Sequence, residues 1–147
     1  MKRVFLCLSA CIGFTVLSHA QFRKIPPEVS KAFRRKYPVA ERVAWMPHQA
    51  FFQAVFSMYG IPFTADFSND GSWQQSAQDI RADSLPDEIM EELRESRYAG
   101  WRIRKAALVV SPAAPAGYRL LIEKSGIHRK YLYFAADGRL EKEALTL

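Results

Sequence analysis

The sequence predicts an α+β fold made of two tandem helix-plus-antiparallel-sheet repeats. Three observations lead there. First, the chain repeats itself in order. Ile25-Pro26-Pro27-Glu28-Val29 returns as Leu85-Pro86-Asp87-Glu88-Ile89, Phe52-Gln53-Ala54-Val55-Phe56 as Tyr118-Arg119-Leu120-Leu121-Ile122, and Phe67-Ser68-Asn69-Asp70-Gly71 as Phe134-Ala135-Ala136-Asp137-Gly138. The offset grows slowly from one match to the next, as a duplicated unit with a small insertion in its second copy requires. Second, each copy opens on proline and continues as an amphipathic stretch, a helix-start signal. Third, each copy then shows short apolar runs separated by tight turns, which imply an antiparallel meander because parallel strands need long crossovers.

Residues 1–20 read as an export signal. Lys2 and Arg3 supply the positive start, Val4 to Leu17 the apolar run, and Ser18-His19-Ala20 the small residues before cleavage. That run is too short to span a bilayer comfortably. Cleavage is expected after Ala20, leaving a periplasmic or secreted chain with no transmembrane span. The rival is a lipoprotein anchored at Cys11, from the lipobox-like Leu8-Ser9-Ala10-Cys11. Against it, the apolar run continues from Ile12 to Leu17, past the point where a lipobox ends it. Both cysteines, Cys7 and Cys11, lie in the signal, so the mature chain enters an oxidising compartment without disulfides. About 125 residues remain, enough for one real hydrophobic core. The formal net charge of +6 falls to +4 once Lys2 and Arg3 are gone. This mild excess, without a long basic run, points away from nucleic acid.

The first repeat is placed at 25–80. Its helix begins at Pro26 or Pro27, buries Val29, Ala32, Phe33 and Tyr37 (or Lys36), and carries Lys31, Arg34 and Arg35 on its other face. Pro38 stops it. Strands are expected at 41–46, 51–58, 61–67 and 72–80, with Tyr59-Gly60 and Asn69-Asp70-Gly71 as turns. The second repeat is placed at 85–147. Pro86 opens its helix, with Ser84 as candidate cap, Ile89, Met90, Leu93 and Tyr98 or the Arg97 stem as the buried stripe, and Gly100 as the end. Strands follow at 101–110, 117–124, 128–134 and 139–145. Ser111 to Gly117 is a Pro/Ala-rich loop without a counterpart in the first repeat.

Strand alternation assigns faces. Phe52, Ala54, Phe56, Phe63, Ala65 and Phe67 share one side with Tyr118, Leu120, Ile122, Leu132 and Phe134, and this side is expected beneath the helices. The other side then carries Phe51, Val55, Tyr59, Leu121, Tyr131 and Tyr133. An aromatic face that no helix covers marks a contact surface, and these six residues are the candidate partner-binding face; the rival is that a bulge shifts the parity or that this face packs on the Pro/Ala-rich loop or a chain terminus.

Each copy thus combines a Pro-opened helix, a Tyr-Pro or Tyr-Ala-Gly exit, a Trp-bearing strand and Phe-x-x-Asp-Gly before the last strand. Ile25-Pro26-Pro27, Lys36-Tyr37-Pro38, Val43-Ala44-Trp45 and Asp70-Gly71 carry the pattern best. It resembles the PepSY-like domains of exported Bacteroidota proteins, whose fold is like that of the β-lactamase-inhibitor protein. The second copy is looser, with Tyr98-Ala99-Gly100 in place of Tyr-Pro. The resemblance implies a binding or regulatory role outside the cytoplasm, and PepSY domains are associated with restraint of peptidases. β-Lactamase inhibition does not carry over, because no inhibitory loop is matched at residue level.

No catalytic, cofactor-binding or metal-binding residues are expected. His48 and His128 fall at non-equivalent places, and no Cys or His pair has zinc-site spacing. Asp66, Asn69 and Asp70 suggest calcium, yet Asp137-Gly138 recurs without the other oxygens, so turn geometry accounts for them. No nucleophile elbow or phosphate loop is present. The expected function is that of an exported, non-enzymatic binding module with an unknown protein partner in the cell envelope or a second copy of itself. The alternative is a small-ligand carrier or enzyme with a site in the cleft between the repeats. Convergent polar groups in that cleft would favour the alternative.

Overall fold

The computed structural model describes residues 23–145. The proposed export signal, with Cys7, Cys11 and the junction after Ala20, lies outside these residues. Helix α1 (Pro27–Lys36) precedes strands β1 (Glu41–Pro47), β2 (Phe51–Met58), β3 (Ile61–Ser68) and β4 (Trp73–Ile80). A 3-10 turn (Ala82–Ser84) leads to helix α2 (Asp87–Glu95) and strands β5 (Arg102–Val110), β6 (Gly117–Ser125), β7 (His128–Ala135) and β8 (Leu140–Leu145). All eight strands form one antiparallel sheet in chain order. The sheet runs unbroken between the halves, since β4 pairs with β5 from Ser76↔Val110 to Ile80↔Ala106.

Both helices start at a proline that already has extended backbone, Pro26 at ψ 145° and Pro86 at ψ 144°. Neither has a side-chain cap. The first turns instead carry Glu28, or Asp87 and Glu88, which favour the positive end of the helix dipole. Two expectations need correction. Ser84 does not cap α2, because it closes the preceding 3-10 turn. Helix α2 ends at Glu95 rather than Gly100. Ser96 redirects the chain there, its hydroxyl donating to the Leu93 carbonyl and accepting from the Tyr98 N–H.

Cross-strand partners share a face, and the pairings Ala54↔Ala65↔Ser76 and Ile80↔Ala106↔Leu120↔Leu132 carry one face through both halves. Both helices pack on it. Val29 and Phe33 of α1 join Phe52, Phe56 and Phe67 in one core cluster. Ile89 and Leu93 of α2 join Leu120, Ile122, Leu132 and Phe134 in the other. Burying an apolar side chain of this size contributes about 1.5–3 kcal/mol, so these two rows hold the helices down.

The turn before each half's last strand is fixed by glycine. Gly71 has φ +86° and Gly138 has φ +89°. A Cβ on Gly71 would lie 2.8 Å from the Glu28 carbonyl oxygen, and one on Gly138 would lie 2.6 Å from the Glu88 Cβ. Each Asp-Gly turn therefore presses against the first turn of its own helix.

Candidate functional site

The opposite, open face of the sheet is where the predicted contact residues gather. Register places Phe51 and Val55 of β2, Leu121 of β6 and Tyr131 and Tyr133 of β7 there, all half-buried. Val55, Leu121 and Tyr131 meet in one cleft of about 390 Å³. The other three are apart from it. Phe51 borders a separate cavity of about 490 Å³ reaching Ser111 and Ala113 of the Pro/Ala-rich loop, and its ring stacks on His48 at 4.3 Å. Tyr133 stands beside Lys142 of β8. Tyr59 lies in the two-residue turn between Met58 and Ile61, 85% exposed, rather than on the sheet face. Tyr59 and Gly60 both have positive φ, the mark of a type I′ hairpin, whose backbone twist matches that of its strands.

Every residue lining this cleft belongs to a strand, and the two halves contribute alike. Gln53, Thr64 and Asp79 stand on the first half, Lys105 and Arg119 on the second. The face is therefore more polar than its aromatic members suggest. On β3, Asp66 is only 6% exposed. Its two carboxylate oxygens accept from Gln53 Nε2 at 2.8 Å and Gln75 Nε2 at 2.7 Å. Two amide donors offset part of the cost of burying this charge, and among the described residues no cation pairs with it. Strand alternation alone places two of the polar members on this face. Gln53 lies two residues from both Phe51 and Val55, and Arg119 two residues from Leu121, so each shares its neighbours' face.

The second half of the face is basic. Arg119 lies opposite Tyr133, which lies opposite Lys142, while Lys105 lies opposite Leu121 and that opposite Tyr131. The Arg119 guanidinium sits 5.7 Å from the Tyr131 ring centre, and the Lys142 ammonium 5.6 Å from that of Tyr133. None of Lys105, Arg119 and Lys142 is in an ion pair among the described residues. Further along the same face, Glu123 accepts from Arg129 at 2.7 Å. That bond, with Arg104 nearby, holds the Glu123 carboxyl below its ordinary value.

The oxygens that suggested calcium have separate occupations. Asp66 faces its two glutamines, Asn69 Oδ1 accepts from Arg23, and Asp70 Oδ1 accepts from the Ser72 N–H at 3.0 Å. Hydrogen bonds from Ser68 and Ser72 bring the Asp70 carboxyl down to about 2. Among the described residues no three His, Cys, Asp or Glu side chains are grouped to hold a metal.

Comparison with known proteins finds no matching family model and no matching curated protein. Solved structures do match. A DUF2874 family protein from Bacteroides uniformis aligns over 82% of this chain and 88% of its own, with TM-score 0.74 and 20% identity. A Bacteroides eggerthii protein, named provisionally as periplasmic, aligns over 84% and 90%, with TM-score 0.75 and 20% identity. A BLIP-like protein from Bacteroides fragilis aligns over 85% and 89%, with TM-score 0.71 and 19% identity. At these identities the likeness is one of fold. The chain has the BLIP-like α+β architecture, an antiparallel eight-stranded sheet with two helices. No helix among the described residues is long and apolar enough to cross a membrane.

Proposed function

We propose that this chain is a non-enzymatic protein-binding module of the cell envelope that uses the open face of its sheet. The observation that carries the reading is the common placement of Phe51, Val55, Leu121, Tyr131 and Tyr133 opposite both helices, with three of them around one cleft. Tyrosine in such a setting concentrates interface energy. The periplasmic description of one fold neighbour agrees with export by residues 1–20, cleavage after Ala20 and a periplasmic or secreted location. The partner is another envelope protein, a peptidase among the candidates because of the PepSY-like pattern.

The same reading takes the halves, 25–80 and 85–147, as two PepSY-like copies of one unit. Pro26 and Pro86 hold equivalent helix starts, and Gly71 on Glu28 is matched by Gly138 on Glu88. These paired contacts lie at the positions where the sequence repeats, which supports duplication.

One observation favours the alternative of a small-ligand carrier, namely the convergence of Gln53, Thr64, Asp79, Lys105 and Arg119 on the cleft. Its volume suits a small molecule. However, only strand residues line it, so no helix or loop closes over a ligand that would need most of its surface covered.

Site-specific photo-cross-linking separates the two. A benzophenone side chain at position 133 should give an adduct with an envelope protein, and one at Arg34 on α1 should not. Tyr131→Ala should weaken the adduct while leaving the thermal midpoint nearly unchanged. Adducts from position 34 alone would remove this reading.

A further inference from the structure

Resting on that reading of the open face, we propose that its second half seats an acidic segment of the partner protein, with a carboxylate held between Lys105 and Arg119. The two cations line the same cleft, and Lys142 continues the basic row along the neighbouring strands. None of the three has an ion-pair partner among the described residues. Several other cations of this half are matched. Arg129 and Arg104 share Glu123, and Arg97 and Lys130 share Glu143. Lys105, Arg119 and Lys142 thus bring three unmatched charges to a place where the face also offers apolar contact.

That combination selects the chemistry of the occupant. Tyr131 and Leu121 lie across the strands from Lys105, and Tyr133 lies between Arg119 and Lys142. A carboxylate on an aliphatic stem satisfies a cation with its head and covers Val55, Leu121 or a tyrosine ring with its stem. A continuous polyanion such as a nucleic-acid strand fits less well. It would have to run on toward Asp79 in the cleft and Asp66 on the first half, where the face turns negative. A second copy of this chain could present the acids of α2, Asp87, Glu88, Glu91 and Glu92. Such a contact joins two different surfaces and so builds rings or open chains of molecules rather than a two-fold pair.

Fluorescence anisotropy tests this with defined probes. A fluorescein-labelled short peptide of alternating leucine and glutamate should bind the purified chain about tenfold tighter than the same peptide with glutamine in place of glutamate. Lys105→Glu/Arg119→Glu should abolish that difference, and Lys31→Glu/Arg34→Glu on α1 should preserve it. The comparison of peptides on the unsubstituted protein stands even if the reversed variant does not fold. Equal affinity for the two peptides overturns the proposal, as does a difference that survives the Lys105/Arg119 reversal. Tighter binding of a labelled oligothymidine overturns it in favour of nucleic acid. Concentration-dependent sedimentation that the same reversal removes overturns it in favour of self-assembly. Cross-linking from position 133 keeps the two readings apart. An adduct there on a segment without acidic residues removes the acidic proposal alone, whereas adducts only from position 34 remove the binding face itself.

Discussion

Tyr37 and Tyr98 occupy the same place in the two halves, just past the helix and against the sheet, yet their surroundings differ. The Tyr37 hydroxyl hydrogen-bonds the Ser76 hydroxyl, which also accepts from Trp73 Nε1 at 2.7 Å. The Tyr98 hydroxyl accepts from Arg97 Nε at 3.2 Å and Lys130 Nζ at 3.1 Å. Those two cations in turn bracket Glu143. The cores differ as well. Phe33 of α1 meets Trp45, Phe56 and Phe67 edge-on, with ring centres 5.0–6.1 Å apart. Helix α2 rests largely on aliphatic side chains. What the halves keep in common is backbone: proline at the helix start and glycine where the turn touches it. Docking a helix on this sheet therefore depends on backbone fit at two points, and the filling between them is free to vary.

The largest effects should come from emptying either core. Phe56→Ala should cost roughly 3–5 kcal/mol and Leu120→Ala roughly 2–5 kcal/mol, by the usual cost of truncating buried side chains. Both should still melt in a single transition, because β4 and β5 tie the halves into one sheet. Two resolved transitions in calorimetry of either variant would show that the halves unfold independently.

The shared backbone contacts come next. Gly71→Ala and Gly138→Ala each force a side chain into the left-handed region and against the backbone of a helix's first turn. Together these should cost about 2–4 kcal/mol at either position. A large loss at one and none at the other would break the equivalence of the two turns. Denaturant melts of the pair decide it.

How much of this was legible depended on whether a feature is local. Helix starts at Pro26 and Pro86 and the turn at Asp70-Gly71 are set by a few neighbouring residues, and they lie where the sequence places them. Period-two alternation put Phe52, Phe67, Leu120 and Phe134 beneath the helices, because every strand joins a regular antiparallel ladder. The end of α2 was misplaced, since Ser96 stops it through its side chain where the sequence offers only Gly100 as a signal. The open face was described from its apolar members alone, and so the clasp of Asp66 by Gln53 and Gln75 was missed. That cluster joins three strands and needs the register, which no single stretch of sequence states.

The tyrosine pair also predicts opposite pH limits. Glu143 has its carboxyl lowered from 4.5 to about 2, first by Arg97. A lowered carboxyl supplies stability that is complete above its unfolded value of 4.5 and fades as pH falls toward 2. Burial pushes the Tyr37 hydroxyl above its usual 10.0. The unfolded chain then ionises first, so that contribution is complete below pH 10.0 and fades as pH rises through the folded value. Glu143→Gln should shrink the acid loss of thermal midpoint without removing it, since Asp70, also lowered to about 2, shares that limb. Tyr37→Phe should flatten the alkaline loss alone. Were both variants to change both limbs, the chemistry of the two tyrosine sites would not be separate.

The smallest effect sets stability against binding at one residue. Tyr59 holds φ 52° in its hairpin turn, a conformation that Cβ makes costly by roughly 1–2 kcal/mol and that asparagine adopts more readily. Tyr59→Asn should therefore raise stability by up to about 1 kcal/mol, seen as a small upward shift of the thermal midpoint. If Tyr59 belongs to the contact surface, the same variant should lower the yield of the adduct formed from position 133. A higher midpoint with an unchanged adduct would take Tyr59 off that surface, and leave the sheet residues Val55, Leu121, Tyr131 and Tyr133 as its centre.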